Sequence, residues 1–243
     1  MIDILYEDSG VIVVNKPQRV PVEPDEHGRG SLVEMAREHC GEAFACHRLD
    51  TMTGGLVLLA KTEEARDAAF SVFREGAASG VSGGDGGVVT KVYLCETIRT
   101  PQPESGEMVG YMTKDAARSL SRVYDRPVPG AKLARTLYSV IRPLPAGICL
   151  VAARLLTGRT HQIRAQFAAA GWPILGDDKY GDWRENRRQR VRVQRLWAVG
   201  MAFGETRGCL EGLSGKEFWA RATFAPWFDT RLIGRMRVGG GRD

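Results

Sequence analysis

No stretch of this chain approaches the roughly 18 uninterrupted apolar residues that a membrane-crossing helix needs, although 43% of its 243 residues are hydrophobic. A spanning segment is not expected, and the apolar content suffices for one sizeable core. The first eight residues carry Asp3, Glu7 and Asp8 where a secretory signal would place basic residues and then an apolar run, so no signal peptide is read there. Cysteine is sparse and scattered: Cys40, Cys46, Cys95, Cys149 and Cys209 are odd in number and lack C-x-x-C spacing. That pattern speaks against a disulfide framework and a zinc site, and for a reduced, cytoplasmic interior. Phosphate-cradling motifs are missing as well. Neither G-x-x-x-x-G-K-[ST] nor G-x-G-x-x-G occurs, so no nucleotide cofactor is expected. No metal site and no internal repeat is read either.

What is present is a mild excess of positive charge, +5 overall, with an uneven distribution. Between positions 184 and 195 stand Arg184, Arg187, Arg188, Arg190, Arg192 and Arg195 against the single acid Glu185. Such a run is either a solvated loop or a phosphate-binding patch. The complete absence of lysine from it favours phosphate, because a planar guanidinium pairs with phosphate oxygens two at a time.

Apolar patterning outlines the elements. Residues 2–6 and 11–14 read as short strands around a turn at Asp8, Ser9 and Gly10. Ser31 followed by Glu34 is a capping-box signature for a helix ending near Gly41. The apolar run 56–60 is a buried strand, and Thr62 with Glu63 and Glu64 opens a helix to about position 75. Six glycines between 76 and 87 mark a flexible insertion. Further strands are expected over 90–98, 135–141, 148–155, 195–203 and 217–224, with a helix over 160–170 stopped by Gly171 and Pro173. Strands outnumber helices and do not alternate with them regularly. The expected fold class is therefore α+β, built on a mixed, mainly antiparallel sheet with flanking helices. One domain over 1–230 is expected, and the tail 231–243 is expected to be disordered.

Two segments carry chemistry. In His47-Arg48-Leu49-Asp50-Thr51-Met52-Thr53-Gly54-Gly55, a carboxylate sits in a threonine- and glycine-rich turn directly before a buried strand. A sheet mouth with close backbone suits ligand approach, although an aspartate in such a turn is by itself most often a turn former. In Gly158-Arg159-Thr160-His161-Gln162-Ile163-Arg164 and onward, Ile163, Phe167 and Ala170 share one helix face, and Arg164 points elsewhere. An exposed helix arginine is the plain alternative for Arg164.

Taken together and in this order, the two segments resemble the RluA-type family of RNA pseudouridine synthases. The family's H-R-L-D-x-x-T-x-G motif matches at 47–55 and its G-R-T-H-Q-[IL]-R motif at 158–164. Lesser matches occur at Val14-Asn15-Lys16-Pro17, at Lys91 and Tyr93, and over 173–181, so the likeness spans roughly 4–203. It implies a pseudouridine synthase fold with a central RNA-binding cleft and uridine-to-pseudouridine isomerisation in structured ribosomal or transfer RNA, without cofactor, by a monomer. It assigns Asp50 as the catalytic carboxylate, Tyr93 as the active-site tyrosine and Arg164 as the arginine paired with the aspartate. Ile163 would pack beside the target uracil and Arg48 near the extruded nucleotide. The run near Gly181 offers Arg187, Arg188 and Arg190 for flanking phosphates, and Lys16 belongs to a motif read as structural. Two positions depart from the family pattern: Gly54 stands where serine is common and Trp197 where histidine is frequent. With motifs beginning by position 14, the extra N-terminal RNA-binding domain of many relatives is not expected.

The chemistry is consistent with that assignment. Isomerisation detaches uracil at nitrogen and rejoins it at carbon 5 with no atom gained. An ionised Asp50 would either attack the anomeric carbon or remove a ribose proton, and Tyr93 would be either the base for carbon 5 or a packing ring. A non-catalytic RNA binder has no need of Asp50, Tyr93 and Arg164 together. A glycoside hydrolase would require a second carboxylate flanking the bond, and the first motif supplies one only.

Overall fold

The computed structural model describes residues 2–24, 28, 30–78 and 89–235. Along the chain come β1 (Ile4–Glu7), β2 (Val11–Lys16), α1 (Leu32–Cys40), β3 (Phe44–Ala45), β4 (Gly54–Ala60) and α2 (Glu63–Ala78). Then follow β5 (Val89–Ile98), β6 (Ser105–Asp115), β7 (Leu120–Tyr124), β8 (Lys132–Pro143), β9 (Ile148–Leu155) and α3 (Gln162–Ala169). The chain closes with α4 (Trp183–Arg188), β10 (Leu196–Phe203), β11 (Glu217–Trp219) and α5 (Arg231–Arg235). It divides into two compact units, Met1–Lys91 with Trp197–Thr230, and Val92–Leu196 with Arg231–Asp243.

In the first unit the strand order is β1-β2-β4-β10, with β3 beside β4 and β11 beside β10. Strands β1, β2 and β4 run antiparallel, with Val11 opposite Ala60 and Lys16 opposite Gly55. Strands β4 and β10 run parallel, with Trp197 opposite Gly54 and Ala198 opposite Gly55. All seven residues of β4 are buried, which is why its sequence is one continuous apolar run instead of an alternating one. Leu56 and Leu58 join Val11, Val13, Met201 and Phe203 in a single cluster; each such side chain contributes roughly 1.5–3 kcal/mol by leaving water. Helix α1 forms where the capping box places it. The Ser31 hydroxyl accepts the Glu34 amide at 3.2 Å, and the Glu34 carboxylate accepts the Ser31 amide at 2.8 Å.

In the second unit the order is β5-β9-β8-β6-β7, and the pairs β9/β8, β8/β6 and β6/β7 are antiparallel. The β6–β7 hairpin and α4 are absent from the sequence reading. Ser105, Glu107, Val109 and Lys114 of β6 face solvent, and Met112 is its most deeply buried apolar side chain. Helix α3 is buried nearly all round, Gln162, Arg164 and Gln166 included. The Gln162 amide nitrogen donates to Arg135 O and Thr136 Oγ1, and its oxygen accepts from Thr157 and the Arg159 amide. Gln166 accepts from Thr136 and donates to Met108 O and Ala134 O. Both buried amides are thus satisfied, as burial demands.

The α+β class and the mainly antiparallel mixed sheet agree with the expectation from sequence. Gly76 and its two successors belong to α2, and the rest of the expected flexible insertion, 79–87, lies outside the described residues. Of the expected tail, Arg231–Arg235 is helical, and 236–243 lies outside the described residues. Among the described residues no helix is long and apolar enough to cross a membrane.

Candidate active site

Asp50 sits in the turn that feeds β4. The Thr53 amide donates to Asp50 O at 2.9 Å and closes the turn. The segment after β2 holds this turn from the side. The Arg19 amide donates to Thr51 O at 2.7 Å, and the Gln18 side chain donates to Met52 O at 2.7 Å. Beneath lies Lys16, fully buried, whose ammonium donates to Pro17 O, Val20 O and Thr51 O at 3.0, 2.7 and 3.3 Å. Three carbonyls match the three donors of a charged lysine. Burial pushes the Lys16 pKa down to about 7, against an opposing pull from Asp50. The motif lysine is therefore a buried hydrogen-bond donor that supports the Asp50 turn. Gly55 is required by geometry: its φ is +114°, and an added β-carbon would lie 2.1 Å from Ala198 O.

His47 supplies an acceptor, not an acid. Its Nε2 accepts the Leu58 amide at 3.1 Å, and its ring packs at a tilt against Phe73 with the centroids 4.7 Å apart. Burial, with Lys91 nearby, lowers its pKa to about 3, so it stays neutral. Arg48, two residues ahead of Asp50, is exposed.

The second unit carries Tyr93, Ile163 and Arg164, all buried. Arg164 is gripped by its neighbours. Its Nε donates to Asp177 Oδ2 at 2.7 Å and its Nη2 to Asp177 Oδ1 at 2.9 Å and Asp178 Oδ1 at 3.0 Å. The guanidinium also lies over the Tyr180 ring, 5.2 Å from its centroid. Burial raises the Asp177 carboxyl, but Arg164 and the amides of Tyr180 and Lys179 outweigh it and hold the group below the usual carboxylate range. Tyr180 binds the next layer. Its hydroxyl accepts the Ser121 amide at 2.6 Å and meets Nδ1 of His161, the left-handed N-cap of α3, at 2.9 Å. Asp177 and Tyr180 thus set the orientation of Arg164. Sequence reasoning quoted their segment but gave neither a role, since a separation of 13 residues between Arg164 and Asp177 has no periodic signature.

Helix α4 is fastened to the same turn. The Asn186 side chain accepts the Gly176 amide at 2.8 Å and donates to Asp177 O at 3.2 Å. Arg187 and Arg190 are exposed. Arg188 is engaged: its guanidinium donates to both Glu185 oxygens, at 2.8 and 2.7 Å, and to Ala146 O at 3.2 Å. Among the described residues no three His, Cys, Asp or Glu side chains gather as metal ligands.

The sequence profile of the family described as RNA pseudouridylate synthase matches residues 10–169, which contain Asp50, Tyr93 and Arg164. The chain belongs to this family of RNA uridine-to-pseudouridine isomerases and is of the RluA type. Relatives include an uncharacterized RNA pseudouridine synthase of Mycoplasma pneumoniae, 29% identical over 96% of this chain and 73% of that protein. The ribosomal large subunit pseudouridine synthase C of Rickettsia bellii is 31% identical over 74% of this chain and 56% of its own length. Its counterpart from Rickettsia prowazekii is 30% identical over 95% and 70%. The chain thus spans between 56% and 73% of these three relatives. Two human structures share the fold: RNA pseudouridylate synthase domain containing 4 and domain containing 1, at TM-scores of 0.70 and 0.69. Both are 22% identical, over 93% and 100% of this chain and 90% and 97% of theirs.

Proposed function

We propose that the protein converts uridine to pseudouridine in ribosomal RNA from the cytoplasm, with Asp50 as the catalytic carboxylate and no cofactor. The observation that carries this is the Asp50 turn, whose backbone carbonyls at Asp50, Thr51 and Met52 accept from Thr53, Arg19, buried Lys16 and Gln18 at the head of an all-buried strand. Such support costs nothing at the moment of reaction, because the geometry is prepaid by folding.

The C1′–N1 bond breaks, uracil turns, and a C1′–C5 bond forms. The proton on C5 leaves and one is taken up at N1, so atoms and electrons balance without a further group. Asp50 acts either by attack on C1′ or by removing the C2′ proton, and both routes need it ionised. Arg164, already aligned by Asp177 and Tyr180, is the guanidinium partner of that carboxylate. Tyr93 faces the uracil as base or as packing surface; a phenol, ordinarily titrating near ~10, needs help from its surroundings to accept a proton. Ile163 and Arg48 flank the base. The target must leave its stack at a cost of a few kcal/mol, least in loops, and its 2′-hydroxyl distinguishes RNA from DNA. Two relatives named for the ribosomal large subunit favour ribosomal over transfer RNA. Five unpaired thiols fit a reducing compartment.

The test is tritium release from RNA labelled at uridine C5, supplied as ribosomal and as transfer RNA from a strain lacking the gene. Wild type releases label from the ribosomal fraction; Asp50→Asn releases none and binds the RNA as before. Full release by Asp50→Asn overturns the assignment of the carboxylate.

A further inference from the structure

The arginine run contains an aromatic residue for which the phosphate reading has no use. Trp183 opens α4 with 62% of its surface exposed, although its indole is the largest apolar side chain available for burial. The guanidinium of Arg184 lies over the ring, 5.4 Å from a ring centroid. Arg187, Arg190 and Arg192 are exposed in the same segment. Among the described residues, no carboxylate is within ion-pair distance of the guanidinium groups of these four arginines, whereas Arg188 and Arg195 are paired with Glu185 and Glu96.

The platform is also tethered. Asp182 caps α4 through the amides of Arg184 and Glu185. Asn186 ties the helix to Gly176 and Asp177, and Val191 packs against the cluster of Ile98, Ile148 and Leu175. An exposed indole on a tethered helix, with arginines beside it that no described carboxylate pairs, has the composition of a single-strand binding surface: a π-face for a base and guanidiniums for the adjoining phosphates. An acidic protein would satisfy the charges, but it offers nothing flat for the ring.

We propose that Trp183 is a nucleobase-stacking residue, receiving an unpaired base of the RNA while Arg184, Arg187, Arg190 and Arg192 hold the neighbouring phosphates. This rests on the RNA-modifying function proposed above and names a contact outside the reacting uridine. The tether places that contact on the turn that carries Asp177, the partner of Arg164.

The test compares two fluorescent probes about ten nucleotides long, oligoadenylate and its abasic ribose-phosphate analogue, with the full-length chain. Trp183→Ala should weaken oligoadenylate binding about tenfold, within the range for loss of one stacked base, and leave abasic binding and the salt slope unchanged. Trp183→Phe should retain most of the affinity. Equal binding of oligoadenylate by wild type and Trp183→Ala overturns the proposal, as does an equal loss on both probes. Tritium release by the same wild-type preparation separates the two failures: release together with an indifferent Trp183→Ala leaves the isomerase function standing and removes only the stacking role.

Discussion

The indole of Trp197 lies across Gly54 so closely that a β-carbon added at Gly54 would sit 2.4 Å from the ring. Parallel pairing of β4 and β10 sets the two residues opposite one another, and the indole nitrogen is anchored on Asn15 Oδ1 at 3.2 Å. Both positions are read from the sequence as departures from the motifs it resembles, a glycine where serine is common and a tryptophan where histidine is frequent. In this chain the two positions are in direct contact. The ring takes the space that the missing side chain leaves, at the entrance to β4 that holds the Asp50 turn in place.

Gly54→Ser in the present background should therefore overpack the site and cost about 1–3 kcal/mol. Trp197→His alone should also destabilise, because it leaves a cavity over a bare glycine. The double variant should recover part of both losses. Urea unfolding of the four proteins gives the coupling term. If the two single costs add to within about 0.5 kcal/mol, the residues are independent and the pairing is incidental.

Local signals explain what the sequence revealed. The capping box of α1 acts within four residues, so Ser31 and Glu34 disclosed it. The apolar run of β4 disclosed a strand buried on both faces, and the two long motifs made Asp50 and Arg164 the candidate site residues. Partners distant in sequence were not legible. Gln162 and Gln166 look like surface residues of an amphipathic helix, and they are buried because Thr136, Thr157 and carbonyls of β6 and β8 satisfy them. The β6–β7 hairpin was missed because its two strands bury few side chains and β6 is interrupted by Gly106 and Gly110. Helix α4 was missed because its arginines carry no apolar period, and the cap at Asp182 was the only local mark.

Asp177 and Arg164 form a pair whose side chains are 0% and 4% exposed. Breaking such a pair leaves an uncompensated buried charge, so Asp177→Asn should cost about 3–5 kcal/mol at neutral pH. The carboxyl titrates below its ordinary 3.8 in the folded chain. Its contribution is therefore complete above that value and is lost as the pH falls through the lower, folded one. Urea midpoints at pH 7 and pH 3 should converge for wild type and Asp177→Asn on the acid side. Equal midpoints at pH 7 would show that the other contacts of Arg164 hold it unaided.

Lys16 gives a dependence in the alkaline range. Its pKa is about 7 folded against 10.5 ordinarily, so between those values the unfolded chain binds more protons. Stability attributable to Lys16 thus rises with pH across that window, by at most about 1.4 kcal/mol per pH unit. Lys16→Met removes the titration and strips three carbonyls of their donor, at roughly 1–3 kcal/mol for each buried group left unpaired. Wild type should gain on Lys16→Met between pH 7 and pH 9 by urea unfolding. A difference that stays flat over that interval means that Lys16 remains charged throughout.

The arginine run is tested by salt. Each phosphate neutralised on a single strand lowers the slope of log K against log salt by about 0.7. Arg187→Gln and Arg190→Gln should each remove about one such increment in binding to unstructured RNA. Arg188 already donates to both oxygens of Glu185 and to Ala146 O. It must surrender those bonds to reach a phosphate, so Arg188→Gln should change the slope less than either neighbour. The triple variant then separates the two readings of the run. A slope reduced by nearly two increments assigns the run to the RNA backbone, and an unchanged slope makes it solvated surface. In the second case the tether from Asn186 to Gly176 and Asp177 would serve only to brace the turn that aligns Arg164.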